Sequence, residues 1–378
     1  MRDLLRSVKK AVHYLRRGKG RYLVNLSFAQ LGARLLPAYL LSQPTHLQIE
    51  PTTACNLDCL ICGRHQFTRR SKNMSLPEFR RIIAQFPFLR SVSIQGFGEP
   101  LLNKDIYSMI AYCYSKGIKT VTVTNGVLLD YRAGENLVQC GLDTLIISVD
   151  SPQPQVFENI RRGASFEQVC DNVKAVVALK KGQRAEAPKV VLRATAMKEN
   201  IFQLPQLVNL AKELGADGVS IANLIPVDGT EMAIPEQLVA NLDPTNVHRA
   251  FTHLSRDNAL DIAIQDGIAT PPHIQAEPRE RWLRKRGYYC WWAWEGSYIE
   301  EDGYVSPCCY SPYYRRDPYD VGPNIFETPF ARIWNSPQWR QLRRELASGK
   351  PPAMCRGCWV VRAKMPRENG TENQAKET

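Results

Sequence analysis

Six short runs of β-branched and apolar residues recur along the chain: HLQIEPT from His46, SVSIQGFGE from Ser91, TVTVTNG from Thr120, TLIISVD from Thr144, VVLRATAM from Val190 and GVSIANLIP from Gly218. Each is separated from the next by a segment long enough for a helix. That alternation predicts parallel strands joined by crossover helices. Helix boundaries are legible between the runs. SLPE places Ser75 to cap a helix and Glu78 to reach back as a capping box. KELGADGVS puts Gly215 and Gly218 where a helix stops before the sixth strand. Six units between about His46 and Pro226 fall short of the eight of a closed barrel, so the predicted fold class is α/β, an open partial (β/α)6 barrel. Residues just after each strand then share one mouth. The pattern divides the chain into a basic N-terminal helical extension (1–44), the barrel (45–230), a bridge of helices and loops (231–284), a small cysteine-rich C-terminal domain (285–365) and a polar tail (366–378) expected to be disordered.

Before the barrel the pattern changes. Leu5, Val8, Val12 and Leu15 stand at helical spacing among eight Lys or Arg that precede Tyr22, with Asp3 the only acid there. A basic amphipathic helix of this kind suits a membrane surface, a partner, or packing on the barrel. YLVNLSFAQLGARLLPAYLL follows, but Asn25, Gln30, Arg34 and Pro37 interrupt it, which argues against a membrane span. The 378 residues are 44% hydrophobic, as expected of a folded globular protein. A net charge of +12, from 49 Lys and Arg against 37 Asp and Glu, favours acidic partners: an electron carrier, a phosphorylated substrate, nucleic acid or an anionic membrane. The opening residues lack the pattern of a secretory signal, so the cysteines are expected to be reduced, in the cytoplasm.

Eleven cysteines in a reducing compartment point to metal or redox chemistry. Cys113, Cys140 and Cys170 stand alone in apolar, helix-like surroundings and read as buried small hydrophobes. EPTTACNLDCLICGRHQ, from Glu50, carries Cys55, Cys59 and Cys62 as C-x3-C-x2-C directly after the first strand, and therefore at the barrel mouth. Three thiolates on a four-iron cubane leave one iron open to a small chelating molecule. The bland alternative is a structural zinc site completed by His65. Near the end, CWWAWEGSYIEEDGYVSPCCYSP holds Cys290, Cys308 and Cys309, and MCRGCW adds Cys355 and Cys358. EDGYV between them predicts a hairpin turn at Asp302 and Gly303. Four thiolates gathered there bind zinc or a fully ligated cluster, and spacing does not separate the two. His248 and His253, five residues apart, read as structural or surface residues.

On these residues the sequence resembles the radical S-adenosylmethionine (SAM) enzymes, from roughly Thr45 to Pro226. The resemblance implies that Cys55, Cys59 and Cys62 hold a [4Fe–4S] cluster whose fourth iron is chelated by SAM. Ile61 stands where that family often has an aromatic residue. GFGEP resembles the family's Gly-Gly-Glu-Pro motif, with Phe97 in place of the first glycine and Gly98, Glu99 and Pro100 matching. Further cofactor-binding residues implied at strand ends are Thr124 and Asn125, Ser148 and Asp150, and Arg193, with Thr195 and Asn200 beside it.

Cys290 with its tryptophans, DGYVSPC, GPNIFETPFARIWNSPQWRQLRREL and CRGC resemble the SPASM/twitch extension of the same family. No cysteine follows Cys358, which implies one auxiliary [4Fe–4S] cluster on Cys290, Cys308, Cys355 and Cys358. Cys308 is preferred to Cys309 because it directly follows Ser-Pro, as the family's ligand does. The function so implied is cleavage of SAM to a 5′-deoxyadenosyl radical and hydrogen abstraction from a substrate carbon. Electron acceptance by the auxiliary cluster then implies oxidation of a sugar- or cyclitol-like small molecule, with a peptide maturase as the alternative. An acidic flavodoxin or ferredoxin is the expected electron donor. A zinc-stabilised nucleic-acid-binding protein is the rival from another class. It leaves the strand-end residues unexplained, so no nucleic-acid partner is expected.

Overall fold

The computed structural model describes residues 20–66, 72–224, 261–264, 290–311, 322–356 and 358. The proposed helix carrying Leu5 to Leu15, the bridge apart from 261–264, the His248 and His253 pair, the His65 side chain and the C-terminal tail lie outside these residues.

After helix α1 (Gly20–Leu35), strands and helices alternate as the apolar runs predict. They are β1 (His46–Ile49), α2 (Leu76–Ile83), β2 (Ser91–Ile94), α3 (Ile106–Ser115), β3 (Lys119–Thr124), α4 (Tyr131–Gln139) and β4 (Thr144–Ser148). Two helices, α5 (Pro154–Ile160) and α6 (Phe166–Gly182), lead to β5 (Lys189–Ala196), and α7 (Leu204–Leu214) leads to β6 (Gly218–Asn223). The capping box forms: the Ser75 N–H donates to Glu78 Oε2 at 2.8 Å and the Glu78 N–H to Ser75 Oγ at 3.4 Å. Gly215 ends α7 in the left-handed region at φ 72°, a conformation that costs other residues about 1 kcal/mol or more.

Neighbouring strands from β1 to β6 pair in parallel and in sequence order, so every crossover turns the same way and the sheet curls. The helices cover one face. Val190, Leu192 and Ala194 on β5 are fully buried with Phe79 and Ile82 of α2, Met109 and Ile110 of α3 and Leu207 of α7 in one core. Each such aliphatic contributes roughly 1.5–3 kcal/mol by leaving water. Val191, Arg193 and Thr195 alternate with them and stay half-buried on the other face. Cys113 and Cys170 are buried and Cys140 is half-buried.

Three more strands extend the sheet. β7 (Asp261–Ile264) pairs in parallel with β6, placing a strand inside the segment that reads as a bridge of helices and loops. The helix α8 (Trp291–Glu295) leads into β8 (Gly296–Ile299), which pairs in parallel with β1, and β9 (Val305–Ser306) returns antiparallel to β8 through the expected hairpin. Among the described residues the order is β7-β6-β5-β4-β3-β2-β1-β8-β9, nine strands with β7 and β9 as edges, so the barrel is partial and unclosed.

The C-terminal helices α9 (Phe330–Trp334), α10 (Pro337–Ala347) and α11 (Ala353–Arg356) complete the described fold. Arg343 of α10 is fully buried and donates to the carbonyls of Ala293 (2.7 Å) and Ala38 (3.0 Å), with its guanidinium 4.3 Å from the Trp334 ring. Burial pushes its pKa down to about 9. Trp294 and Trp334 donate to the carbonyls of Pro37 and Ser42, so the segment after α1 is pinned to the cysteine-rich part.

Candidate cluster and cofactor site

The C-terminal ends of β1 to β5 converge on one network. Glu50, just after β1, is fully buried, and its Oε1 accepts the Phe97 N–H at 2.6 Å, which holds the loop after β2. Gly98 in that loop lies directly against the start of the cysteine loop. A Cβ there would collide with the carbonyl oxygens of Thr52 and Ala54, so only glycine permits the approach. The neighbouring Glu99 N–H donates to the Ala54 carbonyl at 2.8 Å.

Glu99 is 3% exposed and ties β2 to β3. Its Oε1 accepts from Thr124 Oγ1 (2.8 Å) and the Leu101 N–H (3.1 Å), and its Oε2 accepts the Asn125 N–H (2.8 Å). Burial raises its pKa, while those three donors and the charge of Arg161 oppose the rise. Pro100 is buried and opens a single 3-10 turn. Asn125 donates through Nδ2 to Asn56 Oδ1 at 2.8 Å, which links β3 to the cysteine loop.

Asp150, after β4, is fully buried and engaged on both oxygens. Oδ2 pairs with Arg161 Nε at 2.6 Å and Oδ1 accepts the Thr195 N–H at 2.7 Å. Asn200 Nδ2 bridges the carbonyls of Asp150 and Thr195 at 2.7 and 2.8 Å. Arg161 directly follows α5, and the carbonyls of Ile160 and Arg162 accept the backbone N–H groups of Leu60 and Asp58 at 3.0 and 3.1 Å. The cysteine loop is thus laced to the end of α5, and the Arg161 charge acts on Cys59 and Cys62. Glu50, Asn56 and Arg161 are polar ties that sequence reading missed. Glu50 and Asn56 depend on partners distant along the chain, and a lone Arg after a helix looks like any solvated charge.

Asp150→Asn keeps the shape and removes the charge that neutralises Arg161. Breaking a buried pair from one side costs about 3–5 kcal/mol. The expected outcome is a clearly lower urea midpoint, whereas an unchanged midpoint rules out a stabilising ion pair here.

Arg193 differs from these tied residues. It pairs in register with Ser148 on one side and Ser220 on the other, so the three side chains stand in a row on the face away from the helices. Among the described residues its Nε is buried without a hydrogen-bond partner, and burial lowers its pKa. A desolvated guanidinium between two serines is suited to a carboxylate.

Cys55, Cys59 and Cys62 share one tight loop, closed by the Cys62 N–H donating to the Cys59 carbonyl at 3.1 Å. Burial pushes the Cys59 thiol up to about 11 and raises Cys62. Cys355 and Cys358 repeat that turn with a 3.1 Å bond. Cys308 lies within electrostatic range of Cys309, Cys290, Cys355 and Cys358, and burial first, then these neighbours, push its thiol well above the ordinary range. Cys290 and Cys309 are each pushed up to about 12, mainly by burial. Thiols so desolvated and crowded are unfavourable as bare anions. They fit a cation-bearing group that takes them as thiolates and releases their protons. Two such donor sets, one on a three-cysteine loop and one with five cysteines in reach, fit two iron–sulfur clusters.

Among the described residues no helix is long and apolar enough to cross a membrane.

Two family models match the chain: the radical SAM superfamily over residues 49–220 and an iron–sulfur cluster-binding SPASM domain over residues 290–359. An AdoMet-dependent heme synthase of Methanosarcina barkeri is 24% identical over 79% of this chain and 85% of its own length. A probable GTP 3′,8-cyclase of Methanococcus maripaludis is 30% identical over 68% of this chain and 82% of its own. The structure of Streptococcus suis SuiB bound to the precursor peptide SuiA superposes with a TM-score of 0.63 at 20% identity, covering 86% of this chain and 71% of that one. The chain therefore belongs to the radical SAM superfamily of enzymes, with a C-terminal SPASM domain, and its cofactors are a SAM-binding [4Fe–4S] cluster, an auxiliary iron–sulfur cluster and SAM.

Proposed function

We propose that this enzyme abstracts a hydrogen atom from an unactivated carbon of a sugar- or cyclitol-like small molecule and completes a two-electron oxidation. The observation that carries this reading is the second thiol group, tied to the barrel sheet by β8 alongside β1. Hydrogen abstraction alone needs no second redox centre, whereas removing a further electron from the substrate does. When bound, the first cluster supplies the electron that cleaves SAM to methionine and a 5′-deoxyadenosyl radical, and the auxiliary cluster offers an acceptor for the electron left on the substrate.

The chain's own residues hold and orient these groups. Cys55, Cys59 and Cys62 ligate the first cluster, and Cys290, Cys308, Cys355 and Cys358 ligate an auxiliary [4Fe–4S] cluster. Arg193, with Ser148 beside it, takes the carboxylate of the SAM methionine. Gly98, Glu99 and Pro100 bring a rigid backbone against the cysteine loop, where carbonyls accept from the methionine ammonium. Thr124 and Asn125 fix that loop through Glu99 and Asn56. Asp150 acts through Arg161, holding a cation beside the thiolates and so offsetting their mutual repulsion. The +12 net charge supports an acidic donor such as flavodoxin or ferredoxin.

Peptide modification is the second reading, supported by the shared fold of SuiB, a protein solved with its precursor peptide. Deuterium transfer decides between them. Reduced enzyme is incubated with SAM and deuterated sugars, cyclitols or peptides, and label is sought in 5′-deoxyadenosine by mass spectrometry. Label from a sugar or cyclitol is expected. Label only from peptides transfers the assignment to a maturase.

A further inference from the structure

The ion pair behind the cysteine loop is polarised, and its positive end faces the thiols. The Leu60 N–H donates to the Ile160 carbonyl and the Asp58 N–H to the Arg162 carbonyl, at 3.0 and 3.1 Å, so residues 58–60 run antiparallel to residues 160–162. Cys59 therefore stands opposite Arg161. Directly opposed residues of such a ribbon share one face, with Cβ atoms about 5 Å apart. Beyond Arg161, Asp150 takes Nε on Oδ2 at 2.6 Å and is itself held to β5 by the Thr195 N–H on Oδ1. The order from the loop inward is thiol, guanidinium, carboxylate. After burial, Arg161 is the strongest influence on the Cys59 thiol, ahead of Asp150, and it acts on Cys62 as well. Arg64, which donates to the Leu57 carbonyl at 3.3 Å, adds a second positive charge on the Cys62 side.

Solvent screens this field little, because the Asp150 side chain is fully buried and that of Arg161 is 14% exposed. An apolar pair of the same volume often holds a fold as well as a buried ion pair does. A field is what it could not supply. Taking up an electron adds a negative charge to a cluster that three thiolates already make electron-rich, and a fixed cation nearby favours that step. We propose, on the reading that Cys55, Cys59 and Cys62 hold the first cluster, that the Asp150–Arg161 pair sets its reduction potential: Arg161 raises the potential and Asp150 limits the rise. The electron passes from the reduced donor to the cluster, and the pair itself is neither oxidised nor reduced.

The test is an anaerobic redox titration of full-length, cluster-loaded protein followed by low-temperature electron paramagnetic resonance, the first cluster's signal being the one missing from the triple variant Cys55→Ala, Cys59→Ala, Cys62→Ala. Arg161→Gln is expected to disfavour reduction at least about tenfold, a fall of about 59 mV or more for one electron. Asp150→Asn moves the potential the other way, favouring reduction at least about threefold. Opposite signs are what a field predicts, because damage to a structural pair acts alike from either side. Arg161→Lys keeps the charge and stays within about threefold of the unaltered protein. The double variant Arg161→Gln, Asp150→Asn leaves no unpaired buried charge, falls between Arg161→Gln and the unaltered protein, and serves if a single variant does not hold its cluster. The auxiliary cluster keeps its potential throughout. Shifts of one sign in both single variants, a double variant at the unaltered value, or an equal shift of the auxiliary cluster overturns the proposal. A first-cluster signal that is present but unmoved in Arg161→Gln does so too and leaves the cluster reading standing, whereas no such signal in the unaltered protein removes both.

Discussion

Alanine at Cys55, Cys59 and Cys62 together abolishes conversion of SAM to 5′-deoxyadenosine, a loss of at least about a thousandfold, while the chain stays folded and keeps its second cluster. The loop needs no thiol to hold its shape. Its backbone is bonded to Glu99, Ile160 and Arg162, and Asn56 is bonded to Asn125. None of the three cysteines is fully buried, so their truncation leaves little cavity. What disappears is the anchorage of the iron, and with it the open coordination position for SAM. Iron falls from about eight to about four per chain, the count of one remaining four-iron cubane. Retained cleavage in the triple variant, measured anaerobically with dithionite by chromatography, removes the central assignment.

The second large effect is expected at the other cysteine group, where single changes suffice. A closed site has no spare ligand. Alanine at Cys290, Cys308, Cys355 or Cys358 therefore opens or destroys the auxiliary cluster, read as altered low-temperature electron paramagnetic resonance and a fall of up to about four irons. Alanine at Cys309 leaves that signal in place. The distinction rests on position: Cys308 lies in electrostatic range of Cys290, Cys355 and Cys358, whereas Cys309 lies in range of Cys358 and Cys290. Loss of the cluster from the Cys309 variant but not the Cys308 variant reverses that choice. About four irons and one zinc in the unaltered protein makes the C-terminal site structural and removes the proposed electron outlet.

The six barrel strands were legible because each is a local run of β-branched residues bounded by turn residues, and the Ser75 capping box because both partners lie within one turn. β7 was not, since Asp261–Ile264 is a four-residue run whose strand character comes from pairing with β6. The hairpin at Gly303 was read correctly from its turn, but its seat on β1 joins residues some 250 positions apart and leaves no local signature. The same limit applies at the site. Cysteine spacing is local and stood out, whereas the bond between Asp150 and Arg161 exists only because α5 returns to the mouth. Sequence reading put Asp150 and Glu99 among the cofactor contacts. What it could not show is that their carboxylates also hold neighbouring strands and loops together.

The pairing of β8 with β1 makes this enzyme a poor candidate for dissection. Hydrogen bonds run along both sides of β1, to β2 and to β8, and the Glu50 N–H continues the second ladder to the Ile299 carbonyl at 2.9 Å. A fragment cut before Cys290 strips that flank and leaves β1, otherwise an interior strand, as a raw edge able to recruit another chain. Grafting is restricted in the same way. A C-terminal part borrowed from a relative must bring its own equivalent of β8 in register with His46–Ile49, or the host barrel loses a wall along with its second metal centre.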